Sequence, residues 1–125
     1  MKITRRKTKQ IIVGDVKIGG TAPVSIQSMT KTDTKDVSST VKEINNLKKV
    51  GCQIVRMAIQ DMASAKAIKE IKKKTDIPLV ADIHFNYRFA IEAMNNGIDK
   101  IRLNPGNIYK ADEVRQVVEL AKKRK

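Results

Sequence analysis

Side chains alternate between the two faces of a β-strand, and four β-prone runs of this chain divide the same way when read by that parity. The runs are Val24–Ser28, Ile54–Met57, Leu79–Ile83 and Lys100–Leu103. In each, one set is apolar: Val24 and Ile26; Val55 and Met57; Leu79, Ala81 and Ile83; Ile101 and Leu103. The opposite set turns polar toward the C-terminal end of the run, at Gln27, at Arg56, at Asp82 with His84, and at Arg102 with Asn104. A doubly wound sheet, covered by helices on both faces, reads as near-continuous apolar runs. These runs fit instead a barrel whose inward positions meet ligand and water at the C-terminal mouth.

Helical patterns separate the runs. Val37, Val41, Ile44, Leu47 and Val50 recur at steps of three or four until Gly51. Ala63, Ala67, Ile68 and Ile71 follow Asp61, a candidate N-cap, and Pro78 lies beyond. Asn86 opens a third pattern through Phe89, Ala90, Ala93 and Met94, and Val114, Val117, Val118 and Ala121 mark a fourth. Strands alternating with helices predict a parallel sheet with right-handed crossovers. Before them, two β-prone runs flank Gly14-Asp15 and predict a tight hairpin.

The expected fold class is therefore α/β: the N-terminal half of a TIM (β/α)₈ barrel, four β/α units, preceded by a short β-hairpin. Residues 1–22 hold the basic N-terminal segment and hairpin, and residues 23–125 the half barrel. A whole barrel needs about 250 residues, so two parallel edges await partners. A half-barrel of this kind can pair edge to edge with a second copy, an assembly reading without catalysis.

Composition narrows the function classes. The formal charge is +13; most of it suits solvent-facing helix positions, and its sharper reading is an anionic ligand. A basic nucleic-acid-binding module is the competing class, but aromatics make up only 3% of the chain, too few for a stacking platform. Nucleic acid is thus not the expected partner. The single cysteine, Cys52, allows neither an intramolecular disulfide nor a thiolate metal site within one chain. No run approaches the roughly 18 apolar residues of a membrane span, and no long apolar region follows the basic N-terminus, so a cytoplasmic location is expected.

The candidate site gathers at the strand ends. Arg56 and Arg102 suit a phosphate or diphosphate, because guanidinium forks match phosphate oxygens two at a time. Asp82 and His84, two apart on one face, form the candidate catalytic pair, with acid work and orientation of a hydroxyl both open. The alternative for the arginines is an ion pair with Asp82. The segment Asn104-Pro105-Gly106-Asn107 reads first as a tight turn, and second as one that could bring backbone N–H groups close to an anion.

The runs GGTAPVSIQSMTKTDTKD (19–36), GCQIVRMA (51–58), PLVADIHFNYRFA (78–90) and DKIRLNPGN (99–107) resemble the bacterial 4-hydroxy-3-methylbut-2-enyl diphosphate synthase family, in order and over nearly the whole chain. The resemblance implies an oxidoreductase of the non-mevalonate isoprenoid pathway. That family reductively opens 2-C-methyl-D-erythritol 2,4-cyclodiphosphate with electrons from flavodoxin or ferredoxin. It further implies a homodimer, and a [4Fe-4S] cluster held by three cysteines and a glutamate in a C-terminal iron–sulfur domain that this chain does not include. By motif position, Arg56 and Arg102 resemble diphosphate contacts. Asp82, His84 and Asn104 resemble the lining near the ring or hydroxyls, with Gln27 and Asn107 as further contacts. Cys52 does not substitute for the cluster ligands, so the chain alone is expected to bind substrate without turning it over.

Overall fold

A computed structural model describes residues 1–124. The chain opens with β1 (Ile11–Val13) and β2 (Val16–Ile18), an antiparallel hairpin turning at Gly14, whose φ is +59°. Four β/α units follow: β3 (Gln27–Met29), α1 (Val37–Lys49), β4 (Ile54–Ile59), α2 (Met62–Lys74), β5 (Leu79–Ile83), α3 (Tyr87–Asn95), β6 (Lys100–Leu103) and α4 (Ala111–Arg124). The four later strands form one parallel sheet in the order β3-β4-β5-β6. This is an open arc of four strands, with β3 and β6 outermost.

Two apolar layers sandwich the sheet. On the outer face, Val55, Met57, Ile59, Leu79, Ala81 and Ile83 pack with Ile44, Ile68, Ile71, Ala90, Ala93 and Val117 from the helices. On the inner face, Ile54 and Val80 pack with Val13, Val16 and Ile18. The hairpin thus plugs the N-terminal end of the concave face, and the polar parity set begins above it.

The helices start where side chains satisfy their first free N–H groups. Asp36, Asp61 and Asn86 each cap a helix, accepting from the N–H of Ser39, Ser64 and Arg88. Each helix begins after a strand's C-terminal end, so these capped termini share the rim with the polar residues.

Four expectations about packing need correction. The first strand is not Val24–Ser28 but Gln27–Met29. Pro23 has no N–H for a ladder, Ile26 N–H donates to the Gln53 side chain at 2.8 Å, and no helix covers Val24 or Ile26, which are 78% and 59% exposed. Val50 lies beyond the last turn of α1 as its C-cap and is exposed. Ala63 is exposed, and Ser64 and Ala65 are buried beside Ile68 and Ile71, because α2 enters rotated by its Asp61 cap. On α4 the inward stripe is Val114, Val117 and Leu120, while Val118 and Ala121 face outward; as the last helix, α4 packs on one side only, against α3.

Candidate functional site

Register converts parity into layers. Paired residues in a parallel sheet point to the same face, so Met29, Arg56, Val80 and Lys100 form one inner layer. Ala58, Asp82 and Arg102 form the next layer toward the rim. His84 and Asn104 lie one step beyond the last paired residues, Ile83 and Leu103.

Asp82 is the hub. It sits on the central part of the sheet and is only 3% exposed. Its Oδ1 accepts a 2.8 Å hydrogen bond from Arg102 Nη1. Its Oδ2 faces Arg56 Nε and His84 Nε2, each at 3.7 Å. The carboxylate therefore stands between two guanidinium groups on β4 and β6 and leaves the cluster net positive. A buried carboxylate is tolerable only with such partners.

The cluster is not saturated. Arg56 Nη2 reaches the soft Sδ of Met29 at 3.5 Å, and Arg56 Nε is buried without a hydrogen-bond partner. A buried donor without a hydrogen bond is costly, and the nearest compensating group is the Asp82 carboxylate 3.7 Å away. Ala58, laterally beside Asp82, is the small residue of the layer above Arg56.

The surrounding loops are stapled. Glu43 on α1 accepts from the backbone N–H of Lys31 and of Thr32. Burial pushes the Glu43 carboxyl up, but those two N–H groups, the Thr32 hydroxyl and the Lys31 charge together hold it below the ordinary 4.5. Thr34 Oγ1 donates to Ala58 O at 2.7 Å, tying the same loop to the end of β4. The Asp61 carboxyl is likewise lowered, chiefly by the N–H and hydroxyl of Ser64.

The structure therefore brings Arg56, Asp82, His84 and Arg102 together and treats the remaining candidates differently. Gln27 pairs with Ile54, two residues before Arg56 on β4, and so lies one layer beneath that arginine, roughly 7 Å lower at the strand rise; no side-chain hydrogen bond joins it to the cluster among the described residues. Asn104 caps its own turn, with its Oδ1 accepting from Gly106 N–H at 3.0 Å. Its carbonyl accepts from the N–H of Asn107 and Ile108. The segment is thus the tight turn expected of it, and the Gly106 and Asn107 donors are consumed locally rather than offered to an anion. No side-chain hydrogen bond joins Asn107 to the cluster among the described residues.

Two contributors are not singled out by sequence patterning. Lys100 shares the inner layer with Arg56 and adds positive charge below Arg102; its place in the same parity set was the available signal. Ala58 is visibly small in the sequence, but its place beside Asp82 depends on the β4–β5 register. Cys52 is buried, with its Sγ 3.0 Å from Ile54 O at the N-terminal end of β4. A lone thiol there does not fit an iron–sulfur cluster, and no group of metal-ligating side chains occurs among the described residues. No helix among them is long and apolar enough to cross a membrane.

Comparison with known proteins agrees with this architecture. A family model described as the GcpE TIM-barrel domain matches residues 8–125. The chain is 59% identical over 122 residues to a 4-hydroxy-3-methylbut-2-en-1-yl diphosphate synthase (flavodoxin) of Ruminiclostridium cellulolyticum, covering 98% of this chain and 35% of that protein. It is also 59% identical over 119 residues to the protein of the same name from Fusobacterium nucleatum, covering 95% and 34%. The chain thus spans about a third of the length of these curated relatives. Among solved structures, a mandelate oxidase variant aligns with a TM-score of 0.61 at 10% identity, covering 98% of this chain and 62% of that one. Thiamine phosphate pyrophosphorylase from Pyrococcus furiosus aligns with a TM-score of 0.50 at 18% identity, covering 80% and 58%; both likenesses concern the fold alone. With a four-unit parallel arc, a polar C-terminal rim and a family match running from residue 8 to the end, the chain belongs to the GcpE TIM-barrel domain family.

Proposed function

We propose that this chain is the diphosphate-binding portion of a 4-hydroxy-3-methylbut-2-enyl diphosphate synthase acting in isoprenoid biosynthesis. Its ligand in this reading is 2-C-methyl-D-erythritol 2,4-cyclodiphosphate. The observation that carries the reading is the single Asp82 carboxylate standing between Arg56 and Arg102 at the strand ends, one negative charge against two guanidinium groups. A diphosphate presents two anionic groups, and two separated guanidinium groups can take one each. As phosphate oxygens engage the arginines, Asp82 remains to orient the imidazole of His84, which then faces a hydroxyl of the ligand or donates a proton to a departing oxygen. Asn104 and Asn107 line the rim, and Gln27 contributes from below.

Reductive opening of such a ring needs electrons. In the longer protein they come from a [4Fe-4S] cluster outside this chain, fed by flavodoxin, the donor in the relatives' name, or by ferredoxin. A homodimer in the cytoplasm is the corresponding assembly. The chain on its own binds without catalysis.

Calorimetric titration with the cyclodiphosphate and with inorganic pyrophosphate tests the reading. Arg56→Ala and Arg102→Ala should each weaken both ligands about tenfold to a hundredfold, the range of one hydrogen bond to a charged group (~1.5–3 kcal/mol). Wild-type affinity in both variants refutes the pocket. Tighter, steeply salt-dependent binding of a nucleic acid would favour the basic-module reading instead.

A further inference from the structure

Phe85 follows His84 at the rim and is the only residue other than glycine with positive φ among the described residues, at +64°. A bulky side chain in that region is a genuine backbone outlier. The conformation is enforced from both sides. His84 N–H donates to Ile59 O at 3.0 Å, Asn86 N–H donates back to His84 O at 2.8 Å across Phe85, and the Asn86 side chain caps α3. The three-residue turn so formed is the strained γ form.

The strain is not offset by burial. Phe85 is 72% exposed in a chain with two phenylalanines, two tyrosines and no tryptophan. Fold stability alone is better served here by glycine or asparagine, which adopt positive φ readily. What the turn achieves is placement: the Phe85 ring stands edge-on to the His84 imidazole, with centroids 6.0 Å apart and planes at 87°. Tyr109 on the next loop is equally exposed but has neither the backbone outlier nor a ring contact with the cluster.

The Asp82 cluster supplies charge and hydrogen bonds but no apolar wall. A cyclic polyol diphosphate has a carbon skeleton as well as phosphates, and inorganic pyrophosphate has none. We propose that Phe85 is the specificity residue of this site, a strained aromatic wall that packs on the ligand's carbon skeleton and holds His84 turned toward it. The inference rests on the anion-cradle reading above, and the test separates the two.

Phe85→Gly and Phe85→Asn are compared with wild type in the 125-residue chain. Both variants suit positive φ, so thermal midpoints should be equal to or higher than wild type. His84 is the only histidine, so its imidazole proton resonance is unambiguous in NMR and should move in both variants as the aromatic ring current is lost. Each variant should bind the cyclodiphosphate at least tenfold more weakly and bind pyrophosphate within twofold of wild type. Phe85→Leu, which keeps apolar bulk, should recover part of the loss. Unchanged cyclodiphosphate affinity, or equal weakening of both ligands, overturns the role of Phe85 while leaving the arginine pocket intact. If wild type binds neither ligand, the pocket fails and the specificity wall fails with it.

Discussion

Gly14→Ala should loosen the hairpin plug without touching the polar rim. Two independent effects add at this position. Gly14 has φ +59°, and an L-residue in that conformation costs about 1–2 kcal/mol. A Cβ there would also lie 2.7 Å from Pro78 Cγ and 3.0 Å from Pro78 Cβ. Pro78 is a rigid ring, and its carbonyl accepts from Val55 N–H at 3.1 Å, so it has little freedom to retreat without disturbing the β4–β5 ladder. The hairpin must give way instead, lifting Val13 from Ile54 and Val80; overpacking of this kind costs about 1–3 kcal/mol. The sum is roughly 2–5 kcal/mol, a large share of the 5–15 kcal/mol typical of a domain. Urea unfolding of the two chains, followed by circular dichroism, measures it. Gly14→Asn should recover part of the first contribution and none of the second. A loss under about 0.5 kcal/mol, the range of an uninvolved surface site, refutes the close seating of the hairpin on the sheet.

Glu43 ties the acid stability of the chain to the rim loop. Its carboxyl is held below the ordinary 4.5 in the folded state, so its contribution is present above that value and is lost as pH falls through the lowered one. Unfolding midpoints measured from pH 6 to pH 3 should drop more steeply in wild type than in Glu43→Gln; parallel curves would remove the staple. Asp99 accepts from Leu79 N–H at 2.8 Å and from Lys72 Nζ at 2.7 Å. Asp99→Ala should cost about 1–3 kcal/mol for the orphaned amide and speed hydrogen exchange at Leu79, and unchanged exchange there would refute the tie.

Much of the architecture was legible because it depends on local chemistry. The bounds of β5 and β6, the Gly14 turn and the caps at Asp61 and Asn86 all follow from adjacent residues. Misreadings occur where a residue's environment depends on which neighbour lies beside it. Val24, Ile26, Val118 and Ala121 carry the right periodicity, yet the first two precede β3 and the last two face outward on α4. The same distinction divides the site. Parity alone puts Arg56, Asp82, His84 and Arg102 on one face, but only register assigns their heights, and register puts Gln27 one layer below Arg56. Turn geometry hid the fate of the Gly106 and Asn107 donors, because the Asn104 side chain folds back upon its own backbone. Phe85 escaped because no pattern of residue types announces a positive φ at an aromatic.

The outermost strand, β6, is pinned to β5 by side chains of unlike character at its two ends. At its start Asp99 grips a backbone amide, a bond that no solute competes for. At its finish the link is Arg102 to Asp82, and that guanidinium is also what an oxyanion would seek. Between these two ties the backbone ladder runs from the Val80–Lys100 pair to the Ile83–Leu103 pair, so the strand stays fastened along its length whichever partner Arg102 takes.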